Sequence, residues 1–163
     1  MGQFELRNLL PGIDDFSNYL NWMKDEGNKF IESVRQNWSI QELTSFVDEC
    51  NSLNSCVLLG IFEGNNHIGN IKIDQIDIAK KSAWIGILIG SRTHRGIGLG
   101  HTVMTNTTKK FYELFNIENF FLGVDIQNLP AIKSYEKSGF SFYINHEKQD
   151  AIIMHKKEGG LIT

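Results

Sequence analysis

Two cysteines, two prolines and no long apolar run are the scarcest features of this 163-residue sequence. Without an apolar stretch near the roughly 18 to 20 residues that span a bilayer, no membrane-crossing helix is expected. The amino terminus, from Met1 to Arg7, shows no apolar leader, so the expected location is cytoplasmic. Asn37-Trp38-Ser39 and Asn106-Thr107-Thr108 fit the glycosylation sequon but lack a secretion signal beside them. Cys50 and Cys56 form no CxxC pair and have no histidine cluster nearby, so neither a metal site nor a disulfide framework is expected; both read as reduced, structural thiols. A basic excess is also missing. With a net charge of -3, nothing global favours nucleic acid or an anionic membrane as partner. No repeat, low-complexity tract or Pro-rich linker interrupts the chain, which reads as one domain over residues 1–163.

What is present is periodicity of two kinds. Phe4-Glu5-Leu6 reads as a short strand, followed by helical segments at 14–24 and 39–53. In the second of these, Ile40, Leu43, Phe46, Val47, Cys50 and Leu53 recur at the three-and-four spacing of one buried helical face, with Ser39 and Glu42 placed for a capping box. The period then changes to that of strands at 56–62, 68–74 and 83–89, the first two joined by a hairpin at Glu63-Gly64-Asn65-Asn66. A helix to Phe115, a strand at 119–124, a short helix capped by Asn128 and ended by Gly139, and two closing strands complete the order. This order predicts an α/β fold, a mixed sheet with helices.

The strand at 83–89 leads into Arg95-Gly96-Ile97-Gly98-Leu99-Gly100 and then a helix. Glycines there let backbone approach an anion, and the first amides of a helix have no intrahelical acceptor, so the segment is suited to phosphate. Charge agrees: no acidic residue lies between Asp77 and Glu113, whereas Lys80, Lys81, Arg92, Arg95, Lys109 and Lys110 do. A P-loop would need Gly-Lys-Ser/Thr, and here Gly100 precedes His101-Thr102. A dinucleotide site would need GxGxxG, and the spacing here is GxGxG.

Arg95, Gly98 and Gly100 match the Gln/Arg-x-x-Gly-x-Gly/Ala motif, and Asn128-Leu129-Pro130-Ala131-Ile132-Lys133-Ser134-Tyr135-Glu136-Lys137-Ser138-Gly139-Phe140 matches Asn-x-x-Ala-x-x-x-Tyr-x-Lys-x-Gly-Phe. On these two motifs the sequence resembles the GNAT superfamily of N-acetyltransferases, in the branch with ribosomal-protein N-terminal and spermidine acetyltransferases. The resemblance implies a three-layer fold around a mostly antiparallel sheet with a splayed strand pair. It implies acetyl-CoA as co-substrate and direct transfer to an amine, with no metal. Backbone of Ile87, Leu88 and Ile89 would grip the pantetheine. Arg95, Gly96, Ile97, Gly98, Leu99, Gly100 and His101 would hold the pyrophosphate, aided by Asn128 and Tyr135. Tyr135 is also the expected acid for the departing thiolate, since a phenol near pKa 10 and a thiol near 8.5 are close enough for proton transfer. Dimers are common in that family, so a homodimer is one expectation.

Two things depart from the family pattern or go beyond it. Relatives often carry a Glu on the strand before the loop, and 83–89 reads Ala-Trp-Ile-Gly-Ile-Leu-Ile. The base must come from Glu32, His67, Asp74, Asp125 or a water chain, with His67 read as an exposed turn residue. A chain that binds acetyl-CoA without catalysis is the rival reading. The acceptor is expected to be a small-molecule amine. Segments 30–35 and 67–73 resemble relatives that acetylate nucleotide-linked amino sugars, where Trp22, Trp38 and Trp84 would stack and Arg35 or Lys72 would meet phosphate. A protein N-terminus and a polyamine are the alternatives, the latter disfavoured by the lack of a dense acidic cluster.

Overall fold

A computed structural model describes residues 2–25, 37–145, 147 and 150–160. Its strands are β1 (Phe4–Asn8), β2 (Val57–Glu63), β3 (Asn66–Asp77), β4 (Ser82–Ile89), β5 (Asn119–Asp125), β6 (Ser141–Asn145) and β7 (Ala151–Lys157). Its helices are α1 (Ser17–Lys24), α2 (Ile40–Ser52), α3 (Leu99–Phe115) and α4 (Leu129–Lys137), with a 3-10 turn at Arg92–His94. The strands form one seven-stranded sheet in the order β1-β2-β3-β4-β5-β7-β6. The pairs β1–β2, β5–β7 and β6–β7 are antiparallel, and β4–β5 is parallel. This is the mixed α/β, mostly antiparallel sheet expected.

The described chain divides into two compact units: residues 1–72 with 87–95, and residues 73–86 with 96–163. In the first, Leu9, Phe16, Tyr19, Met23, Leu43, Val47, Leu58 and Phe62 form a buried cluster. Ser39 Oγ accepts the Glu42 amide while Glu42 Oε2 accepts the Ser39 amide at 2.6 Å, so the capping box forms and α2 starts where its sequence says. The buried stripe on α2 is narrower than expected: Leu43, Val47 and Cys50 face the core, while Ile40 and Leu53 at the ends are exposed. Truncating Leu43, which is fully buried, would cost about 2–5 kcal/mol.

Two expectations fail here for identifiable reasons. Helix α1 begins at Ser17 and not at Asp14, because Asp14 is committed elsewhere: it holds Arg7 through both carboxylate oxygens and accepts the Leu10 amide at 2.7 Å. Asp15 Oδ1 accepts the Ser17 amide at 2.8 Å. Second, Cys50 and Cys56 are joined in a disulfide, not reduced. Cys50 lies in the last turn of α2, and turn hydrogen bonds from Leu53 to Cys50 and from Cys56 to Leu53 reverse the chain, bringing the two Cα atoms to 5.3 Å. Spacing rules for multi-disulfide frameworks do not detect such a local pair.

In the second unit, α3 buries Leu99, Val103, Met104 and Phe111 on one face. Phe120 and Leu122 of β5 and Met154 of β7 are likewise buried. The β4–β5 register covers Ser82–Trp84 against Asn119–Phe121, and β5 continues to Asp125 beyond it. Its other edge pairs with β7 over its full length.

Candidate functional site

The glycine loop belongs mainly to the second unit. Gly96 has φ 71° and Gly98 has φ 86°, in the left-handed region that only glycine adopts without strain. A Cβ on either would meet nothing within 4 Å, so both glycines are required by backbone conformation and leave open space above them. Gly98 is the N-cap of α3, and its carbonyl accepts the Thr102 amide at 3.0 Å. The helix therefore begins at Leu99, one residue before Gly100, and the amides of Gly98 to His101 are its four orphan donors. No acidic residue lies in the first turn, and Gly96, Ile97 and Gly98 are exposed. Gly100 differs from its neighbours: it is helical, and a Cβ there would make an ordinary 3.6 Å contact with Ser134 Oγ.

Side chains fix that helix start. His101 Nδ1 lies 3.2 Å from Ser138 Oγ, and Ser138 Oγ donates to the Ser134 carbonyl at 2.8 Å. With the hydroxyl proton so used, His101 Nδ1 must be the donor, which assigns its tautomer. The first turn of α3 is thereby tied to the end of α4. Asn128 Oδ1 accepts the Ala131 amide at 3.4 Å and caps α4, with Pro130 in its first turn. Asp125 Oδ1 accepts the Gln127 amide, so this candidate base braces a turn.

Tyr135, on α4, packs edge-on against Phe140 with ring centroids 6.3 Å apart. Burial pushes its pKa up to about 12. The expected match to a thiol near 8.5 thus opens to a gap of about 3.5 units, or about 5 kcal/mol. Tyr135 remains a neutral hydrogen-bond donor at physiological pH.

The first unit holds the other predicted groups. Leu88 directs its carbonyl at Gly69, where a Cβ would collide with it. Because backbone groups alternate along a strand, Ile87 and Ile89 direct theirs to the opposite edge of β4. Arg95, expected at the pyrophosphate, turns its guanidinium to backbone carbonyls before the loop. Its Nε donates to the Ile89 carbonyl and its Nη2 to the Gly90 carbonyl, both at 2.8 Å, and Nη2 lies 3.9 Å from Asp25 Oδ2.

His67 is not an exposed turn residue. It lies on β3, stacked on Phe62 at 4.8 Å, with Trp22 edge-on at 4.9 Å and Tyr19 at 6.3 Å. Its Nε2 is 2.6 Å from Asn70 Oδ1, and Nδ1 is buried with no hydrogen-bond partner. The bond to an amide oxygen places the proton on Nε2 and the basic lone pair on the enclosed Nδ1. Burial lowers its pKa. It lines a small polar cleft with Arg7, Asp14, Asp15 and Asn65. Glu32 and Arg35 lie outside the described residues, and Asp74 is half-buried on β3. The three tryptophans are engaged in ring contacts: Trp22 with Tyr19 and His67, Trp38 with Phe46 and Trp84 with Phe121. Lys72 Nζ lies 5.2 Å above Phe46.

What sequence reasoning missed are pairings between distant residues. Asp25 accepts Arg92 through both oxygens, at 2.6 and 3.1 Å, and His94 Nε2 lies 3.1 Å from Glu63 Oε2. Nothing local in the sequence marks residues separated by 67 and 31 positions as partners. Among the described residues, no group of histidines, cysteines and carboxylates could hold a metal ion, and no helix is long and apolar enough to cross a membrane.

A family model described as "Acetyltransferase (GNAT) family" matches residues 18–140. A spermidine N(1)-acetyltransferase of Vibrio cholerae is 28% identical over 98 residues, covering 55% of this chain and 56% of the relative, so the match spans little more than half of that protein's length. Among solved structures, the spermidine N-acetyltransferase of Vibrio cholerae in complex with CoA and spermine superposes with a TM-score of 0.81 at 23% identity, covering 96% of each chain. AAC(6')-Ib in complex with ribostamycin and coenzyme A superposes at 0.79 with 15% identity, covering 95% of this chain and 93% of that one. At such identities these two likenesses show the fold.

Proposed function

The chain belongs to the acetyltransferase (GNAT) family, and on that premise we propose that it moves an acetyl group from acetyl-CoA to a small primary amine, with a polyamine the leading acceptor. The carrying observation is the start of α3, where two glycines at positive φ leave open space above them and four orphan amides begin a helix with no carboxylate in its first turn. That arrangement suits a pyrophosphate.

Acetyl-CoA supplies the acetyl group as a thioester. The groups offered by Gly98 to His101 are backbone amides, which would hold phosphate oxygens by position rather than by titratable charge. Backbone groups of Ile87 and the Ile89 amide would orient the pantetheine arm, whereas the Ile89 carbonyl already accepts Arg95 Nε and the Leu88 carbonyl is turned toward Gly69. Asn128 contributes by starting α4, which carries Tyr135. A neutral acceptor amine attacks the acetyl carbon, the carbon–sulfur bond breaks with its electron pair moving to sulfur, and the Tyr135 hydroxyl donates a hydrogen bond to that sulfur. With a pKa near 12, Tyr135 keeps its proton and acts on the departing thiolate as a hydrogen-bond donor, the thiolate taking its proton from water.

No carboxylate stands on β4. His67 presents its N–H to Asn70 and encloses its lone pair, so it is poorly placed to take the amine's proton. Water is the better acceptor for it. The amino-sugar acceptor has weaker support than the polyamine: the tryptophans that would stack on a sugar have ring partners already, whereas a curated relative is a spermidine acetyltransferase.

The test is a melting curve with acetyl-CoA, followed by thiol release with spermidine, a nucleotide-linked amino sugar and a peptide amino terminus. Saturation at a hundred times Kd should add about 2.7 kcal/mol of stability. A flat melting temperature would overturn the donor assignment; a shift with no thiol release for any amine would favour a non-catalytic sensor. Faster release with the amino sugar than with spermidine would reverse the acceptor assignment.

A further inference from the structure

Resting on the acetyl-CoA reading above, we propose that Asp25 is a positioning residue for donor binding: it anchors the segment 89–95 that leads covalently into the glycine loop. Asp25 follows the last residue of α1 and receives two guanidinium groups. Arg92 reaches both of its oxygens in a two-pronged pair, and Arg95 Nη2 stands 3.9 Å from Oδ2. Paired N–H donors of this kind fix orientation as well as distance. The carboxylate side chain is only 16% exposed, so the pairing is less screened than an open surface ion pair.

Helix α1 grips the same segment a second time through Trp22, since a Cβ on Gly90 would fall inside the Trp22 ring. The backbone is held independently, because the amides of Gly90 and Ser91 both donate to the Ile68 carbonyl at 3.0 Å. Farther along, His94 is held by Glu63 at 3.1 Å and by Ser91 Oγ at 2.7 Å. Arg95 closes the segment by binding the Ile89 and Gly90 carbonyls, folding the chain back on itself immediately before Gly96. Gly96 to Gly98 are exposed, and a Cβ on Gly96 or Gly98 would have no neighbour. Their positive φ angles are therefore set by the anchored residues on either side rather than by packing above them.

Removing the carboxylate separates two roles by the sign of the effect. If Asp25 serves only as a counter-charge, Asp25→Asn leaves two cations less compensated next to an anion site and strengthens CoA binding. If it positions the segment, the same change lets Arg92 and Arg95 reorient and weakens binding, since small displacements of a positioning group have large consequences.

The experiment is titration calorimetry with CoA together with steady-state kinetics in acetyl-CoA. The expected result for Asp25→Asn is a Kd and a KM for acetyl-CoA raised about tenfold, with kcat at saturation nearly unchanged and most of the affinity restored in Asp25→Glu. Arg92→Ala, at an exposed residue, should fold even if Asp25→Asn does not, and should weaken CoA in the same direction by a smaller factor. Unchanged or tighter CoA binding in a folded Asp25→Asn protein overturns the proposal, as does unchanged binding in Arg92→Ala where Asp25→Asn does not fold. A lower melting temperature without a change in Kd also overturns it. Wild-type protein that binds no CoA is a separate outcome and defeats the donor assignment itself.

Discussion

The two units build their functional features from different materials. In the unit of residues 73–86 and 96–163, the feature proposed to hold phosphate is backbone: two φ angles, four amides and a helix start. In the unit of residues 1–72 and 87–95, the features are side-chain pairings: Arg92–Asp25 and His94–Glu63 across long sequence separations, Arg7–Asp14 and the ring stack on His67 across shorter ones. A backbone site is encoded by contiguous residues and tolerates changes to the side chains within it. A side-chain network is encoded by residues scattered along the chain and depends on each of them.

The sharpest way to break this contrast is to compare two neighbours in the loop. Gly98→Val forces a β-branched residue into φ 86°, which strains or shifts the start of α3. CoA affinity measured by calorimetry should fall by about a hundredfold or more, as expected when several charge-assisted bonds are misdirected together. Ile97→Ala removes a side chain that is 49% exposed and leaves the φ angles alone, so affinity should stay within about threefold. Comparable losses from both variants would mean that the loop binds through its side chains.

Tyr135 is the side chain of the second unit to which the proposed chemistry gives a role. Tyr135→Phe keeps the packing on Phe140 and removes the donor, so kcat should fall by about a hundredfold with little change in the KM for acetyl-CoA. Because burial moves its titration to about 12, the wild-type kcat should not decline through pH 10. A fall centred near 10 would indicate an ordinary, solvated phenol, and an unchanged rate in the variant would remove Tyr135 from the reaction.

The same contrast explains what was legible in the sequence. The Ser39–Glu42 capping box, the Asn128 cap, the Gly98 turn and the paired motifs are local patterns whose physical meaning does not depend on the rest of the chain. The strands were legible to within two or three residues of their ends for the same reason. His67 was read as an exposed turn residue because its surroundings come from other elements: Phe62, Trp22 and Tyr19 enclose it. Cys50 and Cys56 were misread although they are near in sequence, because their approach depends on how the chain leaves α2. If the disulfide belongs only to the structure of the first unit, Cys50→Ser with Cys56→Ser should lower stability by about 2 kcal/mol in denaturant titrations while leaving the Kd for CoA unchanged. A shift in Kd would show that the end of α2 matters to donor binding.

A smaller effect separates the units by pH. His67 and His155 both have pKa values lowered below the usual 6.5, chiefly by burial, and one lies in each unit. Above pH 6.5 both are neutral whether the chain is folded or not. As the pH falls below 6.5, the unfolded chain takes up the proton first, so stability declines until the folded-state pKa is reached and is constant below it as far as each histidine is concerned. His67 should contribute the steeper part, because protonating it places a charge among Phe62, Trp22 and Tyr19 with Nδ1 lacking an acceptor. Nearby Asp14 opposes the lowering and Arg7 reinforces it; Asp14 itself is held below its usual 3.8 by Arg7, so its own contribution is lost only in more acidic solution. Melting temperatures should therefore fall as pH drops from 6.5, and His67→Gln should flatten that decline more than His155→Gln does. An equal or larger flattening from His155→Gln would place the more enclosed imidazole in the second unit and reverse the assignment of side-chain burial that distinguishes the first.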